Sequence, residues 1–215
     1  MEKNEKYIPA LSYDRLTPLF DPVLRWSMRE LELKRRLIDQ ARIAPGQRVL
    51  DLGCGTATLT ILIKQIHLNM EVIGLDGDPK ILAIAEAKAA KAGVKIALDP
   101  GLAFEMPYPD QSLDRVLSSL VIHHLTTENK RRTFKEIYRV LRPGGQLHVL
   151  DFGQPYNLYT TIVSPLVRRL EEAADNIKGL LPQMFREAGL EQVEVTQRFT
   201  TIFGPLALYR AQRAV

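Results

Sequence analysis

Three short stretches hold residue types whose spacing can do chemistry. In the first, Val49-Leu50-Asp51-Leu52-Gly53-Cys54-Gly55-Thr56, an apolar run ends in a carboxylate and passes through two glycines one residue apart. A turn of this kind lets backbone approach a nucleotide-like ligand, because glycine has no Cβ in the way and a following helix offers unpaired N–H groups. The second stretch ends in Asp76-Gly77, with Asp76 placed 21 residues beyond Gly55. At that separation an acid after the next strand meets the ribose of such a ligand, and a carboxylate accepts from both ribose hydroxyls. The third is Ser119-Leu120-Val121-Ile122-His123-His124, where two imidazoles follow another apolar run. Either histidine can serve as a base or a hydrogen-bond partner near neutral pH. Cys54 reads as a small packed residue, since no His and Asp are arranged in the sequence to activate it. No metal site is expected, because no other His, Cys or acid shows ligand spacing.

The sign of the charge in the turn selects among nucleotide-like ligands. A dinucleotide fingerprint needs a third glycine at position 58, which is Thr58. Asp51 would repel a pyrophosphate and attract an ammonium group. An adenosyl sulfonium ligand with an amino acid end, S-adenosylmethionine, satisfies both conditions.

These residues need elements to hold them. The chain has 215 residues, 46% apolar and 25% charged, which suits a single domain with a full core. No apolar run is long enough to cross a bilayer, and residues 1–6 are polar rather than signal-like, so a cytoplasmic protein is expected. A net charge of +4 without a long Lys/Arg run gives no expectation of nucleic acid. Residues 23–43 read as a helix stopped by Pro45-Gly46. Strands are expected at 47–52, 71–75, 94–98, 113–120 and 146–151, with helices at 58–68, 79–92 and 129–141 between them. Arg142-Pro143-Gly144-Gly145 reads as a turn closing the last of these helices. That alternation predicts a doubly wound parallel sheet with helices on both faces. Residues 153–176 read as an irregular insert with one helix, and 177–188 as another helix. Runs 191–197 and 201–209 are joined too closely for a crossover helix, so they form an antiparallel hairpin.

The stretch 49–56 resembles the first motif of class I S-adenosylmethionine-dependent methyltransferases. Gly74-Leu75-Asp76-Gly77-Asp78-Pro79 resembles their ribose motif, Met106 to Asp114 the loop into strand four, Ser118 to Leu125 the motif after it, and Val140 to Leu147 the turn before strand five. The lead-in around Tyr7, Tyr13-Asp14 and Phe20-Asp21 is similar to the N-terminal cap of small-molecule members of the quinone-biosynthesis type. The resemblance implies a Rossmann-like α/β fold, with a seven-stranded sheet and a C-terminal antiparallel hairpin. It divides the chain into a helical cap, 1–44, and a cofactor-binding domain, 45–215, with 153–176 on the substrate side. It implies S-adenosylmethionine as cofactor and S-adenosylhomocysteine as product, held by Tyr13, Asp51, Gly53, Cys54, Gly55, Thr56, Asp76, Gly77, Leu102, Ala103 and Ser119. Leu102 stands where the family usually places an adenine-binding Asp, so packing and the backbone of Leu102 and Ala103 are expected to hold that ring. Asp99 is a substitute acid for the same task.

Three functions are compatible with these residues. The apolar side chains of the insert, among them Tyr156, Leu158, Tyr159 and Ile162, favour methyl transfer to a small, largely apolar acceptor. His123 or His124 is then the catalytic base for a carbon or hydroxyl acceptor. Arg25, Arg29 and Arg36 with Trp26 on the first helix suit peripheral membrane contact, and hence a phospholipid amine N-methyltransferase. Leu102 leaves room for a non-catalytic S-adenosylmethionine-binding protein. Oligomeric state is not legible.

Overall fold

The computed structural model describes residues 30–170, 172–201 and 203–215. Tyr13, Arg25, Trp26, Arg29 and most of the expected cap lie outside them. In chain order the elements are α1 (Glu30–Ala41), β1 (Arg48–Leu52), α2 (Thr58–Ile66), β2 (Glu71–Asp76), α3 (Pro79–Lys91), β3 (Ala97–Pro100), β4 (Leu113–Ser119), a 3-10 turn (Ile122–His124), α4 (Thr127–Val140), β5 (Leu141–Phe152), α5 (Leu158–Leu170), α6 (Ala174–Ile177), α7 (Leu181–Glu187), β6 (Glu191–Thr201) and β7 (Gly204–Gln212).

Seven strands form one sheet in the order β3-β2-β1-β4-β5-β7-β6. β1 to β5 pair in parallel, and β7 pairs antiparallel with both β5 and β6. The expected doubly wound sheet with a closing hairpin is therefore present. β7 lies inside the sheet because Pro205 to Tyr209 is buried on both faces, whereas β6 alternates and carries charge, as an edge strand must.

The strands divide their side chains between two cores. Leu50, Leu52, Val116, Leu147 and Val149 pack with Phe134 and Ile137 of α4 and with Met184 and Phe185 of α7. Val49, Leu117 and Leu150 face the other way, against Leu33 and Leu37 of α1 and Leu59 and Ile63 of α2. The period-2 alternation places Asp51 on the same face as Val49, beneath α1 and α2.

Two local expectations are corrected. Residues 142–145 continue β5, because the Gly144 N–H donates to the Arg213 carbonyl (3.0 Å) and the Arg213 N–H donates to the Gly145 carbonyl (2.9 Å). The chain's last residues thus supply partners that a free turn would lack. The helix expected at 177–188 is two helices, α6 and α7, broken at Gly179, whose φ is +74°.

Candidate functional site

β1 and β4 are neighbours, yet their flanking connections wind to opposite sides, so a crevice opens beyond their carboxyl ends. The residues singled out in the sequence that lie among the described ones converge there. The Gly53 and Cys54 N–H groups both donate to the Leu75 carbonyl, at 2.8 and 2.9 Å, which ties the glycine turn to the end of β2. Gly53 has φ +69°, and a Cβ on it would lie 2.4 Å from Val121 Cγ1. Gly55 has φ +53°, and a Cβ there would meet nothing within 4 Å. The first glycine is therefore required by packing, and the second leaves open space at the crevice.

Asp76 is partly occupied by the same turn. Its Oδ2 accepts from the Gly55 N–H (2.9 Å) and its Oδ1 from the Asp78 N–H (3.0 Å). Burial pushes its carboxyl up, and those N–H groups hold it back. Each oxygen keeps a further lone pair for a ribose hydroxyl. Gly77 follows in the same turn. The Gly101 N–H donates to the Asp76 carbonyl (3.0 Å), which brings the loop bearing Leu102 and Ala103 alongside, and that loop is closed by Glu105 N–H donating to the Leu102 carbonyl (3.1 Å). Asp99 Oδ2 accepts from the Tyr108 hydroxyl (3.0 Å), so its carboxylate is engaged in the loop. Ser119, at the end of β4, has a buried hydroxyl oxygen without a hydrogen-bond partner. An orphaned hydroxyl beside an open glycine and a half-engaged carboxylate fits a polar adenosyl ligand, because each lacks a partner that such a ligand carries.

Asp51 lies deeper than Asp76. It is 1% exposed and accepts from the Thr60 hydroxyl at 2.6 Å. Burial pushes its carboxyl up to about 6, against the lowering influence of Thr60 and the Lys34 charge. Lys34 is itself buried and ion-paired with Glu30. Cys54 packs over Gly74, whose added Cβ would lie 2.8 Å from Sγ. Burial, with Asp51 and Asp76 nearby, drives its thiol far up, so it is no nucleophile. Thr56 is buried, and Lys88 of α3 donates to its hydroxyl (3.2 Å) and to that of Thr58 (2.6 Å).

The two histidines are not equivalent. His123 is 4% exposed and its Nδ1 lies 2.8 Å from Asp151 Oδ1. Asp151, at the end of β5, also accepts from the N–H groups of Val121 (3.2 Å), Ile122 (2.8 Å) and Phe152 (2.7 Å) and from the Asn176 amide (3.0 Å). Burial alone would raise its carboxyl, but His123 and these donors outweigh it, and the net shift is downward. Asp151 is thus a buried carboxylate that fixes the His123 ring. His124 is less buried and lies tilted against His123, with centroids 4.1 Å apart and planes 39° from parallel, while Phe152 meets His123 edge-on at 4.8 Å. Behind this pair, Lys130 is fully buried; it donates to the Glu172 carbonyl (2.5 Å) and faces Asp175 (3.4 Å).

Asp151, Asn176, Thr60 and Lys88 were missed in the sequence. Only Asp151 carried a signal, as an acid closing an apolar strand beside the ligand crevice. The insert divides in two. Thr160 and Ser164 of α5 are buried, whereas Leu158 and Ile162 point to solvent instead of lining an acceptor pocket. Among the described residues, no group of three side chains is placed to hold a metal ion, and no helix is long and apolar enough to cross a membrane.

A family profile described as a methyltransferase domain matches residues 49–145. A demethylmenaquinone methyltransferase of Thermus thermophilus is 36% identical over 148 residues, covering 68% of this chain and 63% of that protein. Another of the same name from Listeria monocytogenes is 30% identical over 214 residues, covering 88% of this chain and 86% of that one. Among solved structures, the YcgJ protein of Bacillus subtilis superposes with a TM-score of 0.70 at 18% identity, covering 86% of this chain and 99% of its own.

Proposed function

We propose that this chain, which belongs to the class I S-adenosylmethionine-dependent methyltransferases related to quinone biosynthesis, methylates a small, largely apolar acceptor of the hydroquinone type. The observation that carries this reading is the meeting of two half-sites at one crevice. The Gly53–Gly55 turn with Asp76 lies on one side, and the Asp151–His123 pair lies at the ends of β4 and β5. When bound, S-adenosylmethionine supplies an electrophilic methyl group on a sulfonium, and in-line attack releases S-adenosylhomocysteine.

The chain's own residues account for the rest. Asp76 and Gly77 orient the ribose, Leu102 and Ala103 pack the adenine ring, and the open face of Gly55 with the Ser119 hydroxyl admits the remainder of the cofactor. Asp51 is the acid nearest the amino acid end, and its charge is favoured once an ammonium group stands beside it. Methylation of a ring carbon replaces one hydrogen, so the acceptor loses one proton overall. Asp151 holds the Nδ1 side of His123 and so orients the imidazole as the base that takes that proton. His124, in contact with the same ring, is the more accessible partner for the acceptor hydroxyl.

The test is a methyl-transfer screen over hydroquinones, phenols, amines, thiols and phospholipids, with product mass as readout. The reading expects carbon-methylated hydroquinone as the main product, and at least a hundredfold loss of kcat in His123→Gln with cofactor affinity kept, a general-base contribution of ordinary size. Turnover on amines alone, or a His123→Gln variant with unchanged kcat, would overturn it.

A further inference from the structure

We infer that the face formed by α5 and the β6–β7 turn docks on an anionic phospholipid bilayer. Leu158 is 78% exposed and Ile162 69% exposed, four residues apart and therefore on one side of the helix. Tyr156 and Phe203 are exposed beside them. The Tyr156 hydroxyl lies 2.8 Å from Thr200 Oγ1, and the Asn157 amide donates to the same oxygen (2.9 Å), so the start of α5 is fastened to the end of β6. Phe203 follows at once in the turn, where its N–H donates to Thr201 Oγ1 (3.2 Å). Bulky apolar side chains from two elements thus share one surface, the pattern that marks an interaction site on a soluble fold.

Charge selects the occupant. No Asp or Glu occurs in residues 152–170 or in residues 195–215. The second of these segments carries exposed Arg198 on β6. Glu32 of α1, across from β6, is neutralised by Arg36, which also stacks over Phe199. Exposed apolar groups on two segments without acids, with Arg198 two residues before the Thr200 fastening, suit the boundary between headgroups and acyl chains of an anionic leaflet. A protein partner of matching shape would more commonly supply and demand both signs of charge. The surface is also continuous with the candidate site, since α5 starts shortly after Phe152, the neighbour of Asp151 and His123. An enzyme seated in this way receives an apolar acceptor directly from the bilayer. This placement differs from the Arg25–Trp26 face read in the sequence.

Sedimentation of the full chain with phosphatidylcholine vesicles, with and without about one-third phosphatidylglycerol, tests the inference. An arginine near an anionic surface is worth about a fivefold gain in partitioning, so binding at least fivefold stronger to the phosphatidylglycerol vesicles is expected. Arg198→Glu, a change of two charges, should abolish that preference. The double variant Leu158→Ser, Ile162→Ser should lose binding to either vesicle. Its thermal midpoint and S-adenosylhomocysteine affinity should be unchanged, because both residues are exposed and remote from the glycine turn. Equal sedimentation with both vesicles, double-variant binding like the parent's, or a dimer in solution that the double variant dissociates would each overturn it. None of these readouts involves turnover, so the inference fails or survives separately from the acceptor proposed above.

Discussion

Replacing Gly53 and Gly55 one at a time with alanine should damage different properties, although the two glycines share a turn and both have positive φ. Any residue with a Cβ pays about 1 kcal/mol in the left-handed region. At Gly55 that is the whole structural cost, since the new methyl would meet nothing within 4 Å. At Gly53 the methyl would lie 2.4 and 2.5 Å from the two Cγ atoms of Val121. Val121 is β-branched, and its own N–H is held by Asp151, so it cannot rotate or withdraw freely. Relief of the clash adds about 2 kcal/mol, which gives about 3 kcal/mol for Gly53→Ala. For a chain of this size that is a fall of about 6–12 °C in melting temperature, against about 2–4 °C for Gly55→Ala. Ligand binding should reverse the ranking at equal folded fraction. The Gly55 methyl occupies crevice space and should weaken S-adenosylhomocysteine at least tenfold, by the displacement of close backbone contact. Thermal unfolding and calorimetric titration on the same preparations measure both. If Gly55→Ala binds the ligand within twofold of the parent, the crevice is misplaced. If Gly53→Ala melts with Gly55→Ala, the Val121 contact does not constrain the turn.

Three further outcomes follow from buried charge. Asp51 has a folded-state carboxyl raised to about 6, so its contribution to stability is complete below about pH 4 and is lost as pH rises towards 6. Asp51→Asn should therefore stabilise the ligand-free protein at pH 7 by about 1–3 kcal/mol in urea titrations, and lose that advantage at pH 4. His148 behaves in the opposite sense. It is fully buried, accepts at Nδ1 from Gln40 and faces Gln146 at Nε2, and burial together with Arg115 and Arg210 lowers it to about 3. Its neutral form stabilises the fold above about pH 6.5, and about 2 kcal/mol should be gone by pH 5, a slope that His148→Gln removes. Lys130→Met strands Asp175 and the Glu172 carbonyl and should cost about 3 kcal/mol, with Lys130→Met, Asp175→Asn recovering part of it in a double-mutant cycle on urea midpoints.

The geometry of the proposed cofactor half was legible because it is local. The turn at 53–55 is written in adjacent glycines, and Asp76 stands at a fixed distance along the chain that one β-α-β unit imposes. The pattern of apolar runs and helical spacing likewise set the parallel sheet, since those periods follow from strand and helix geometry alone. The boundaries at 142–145 and 177–188 failed where the deciding partners were Arg213 and the left-handed Gly179, one remote and one ambiguous in sequence.

The proposed catalytic half depended on tertiary structure. His123 and Asp151 are separated by 28 residues and meet only because β4 and β5 are parallel neighbours that end together. Asn176 joins them from beyond α5. Nothing in the spacing of His123 and His124 says which ring is held by a carboxylate and which is more accessible. The same holds for Asp51, whose type was visible but whose burial under Thr60 was not. Chain-local geometry fixes which backbone a ligand can approach, because glycine placement and strand period act over a few residues. Protonation and exposure depend on the partners that the sheet order brings together, because solvation and charge act through space.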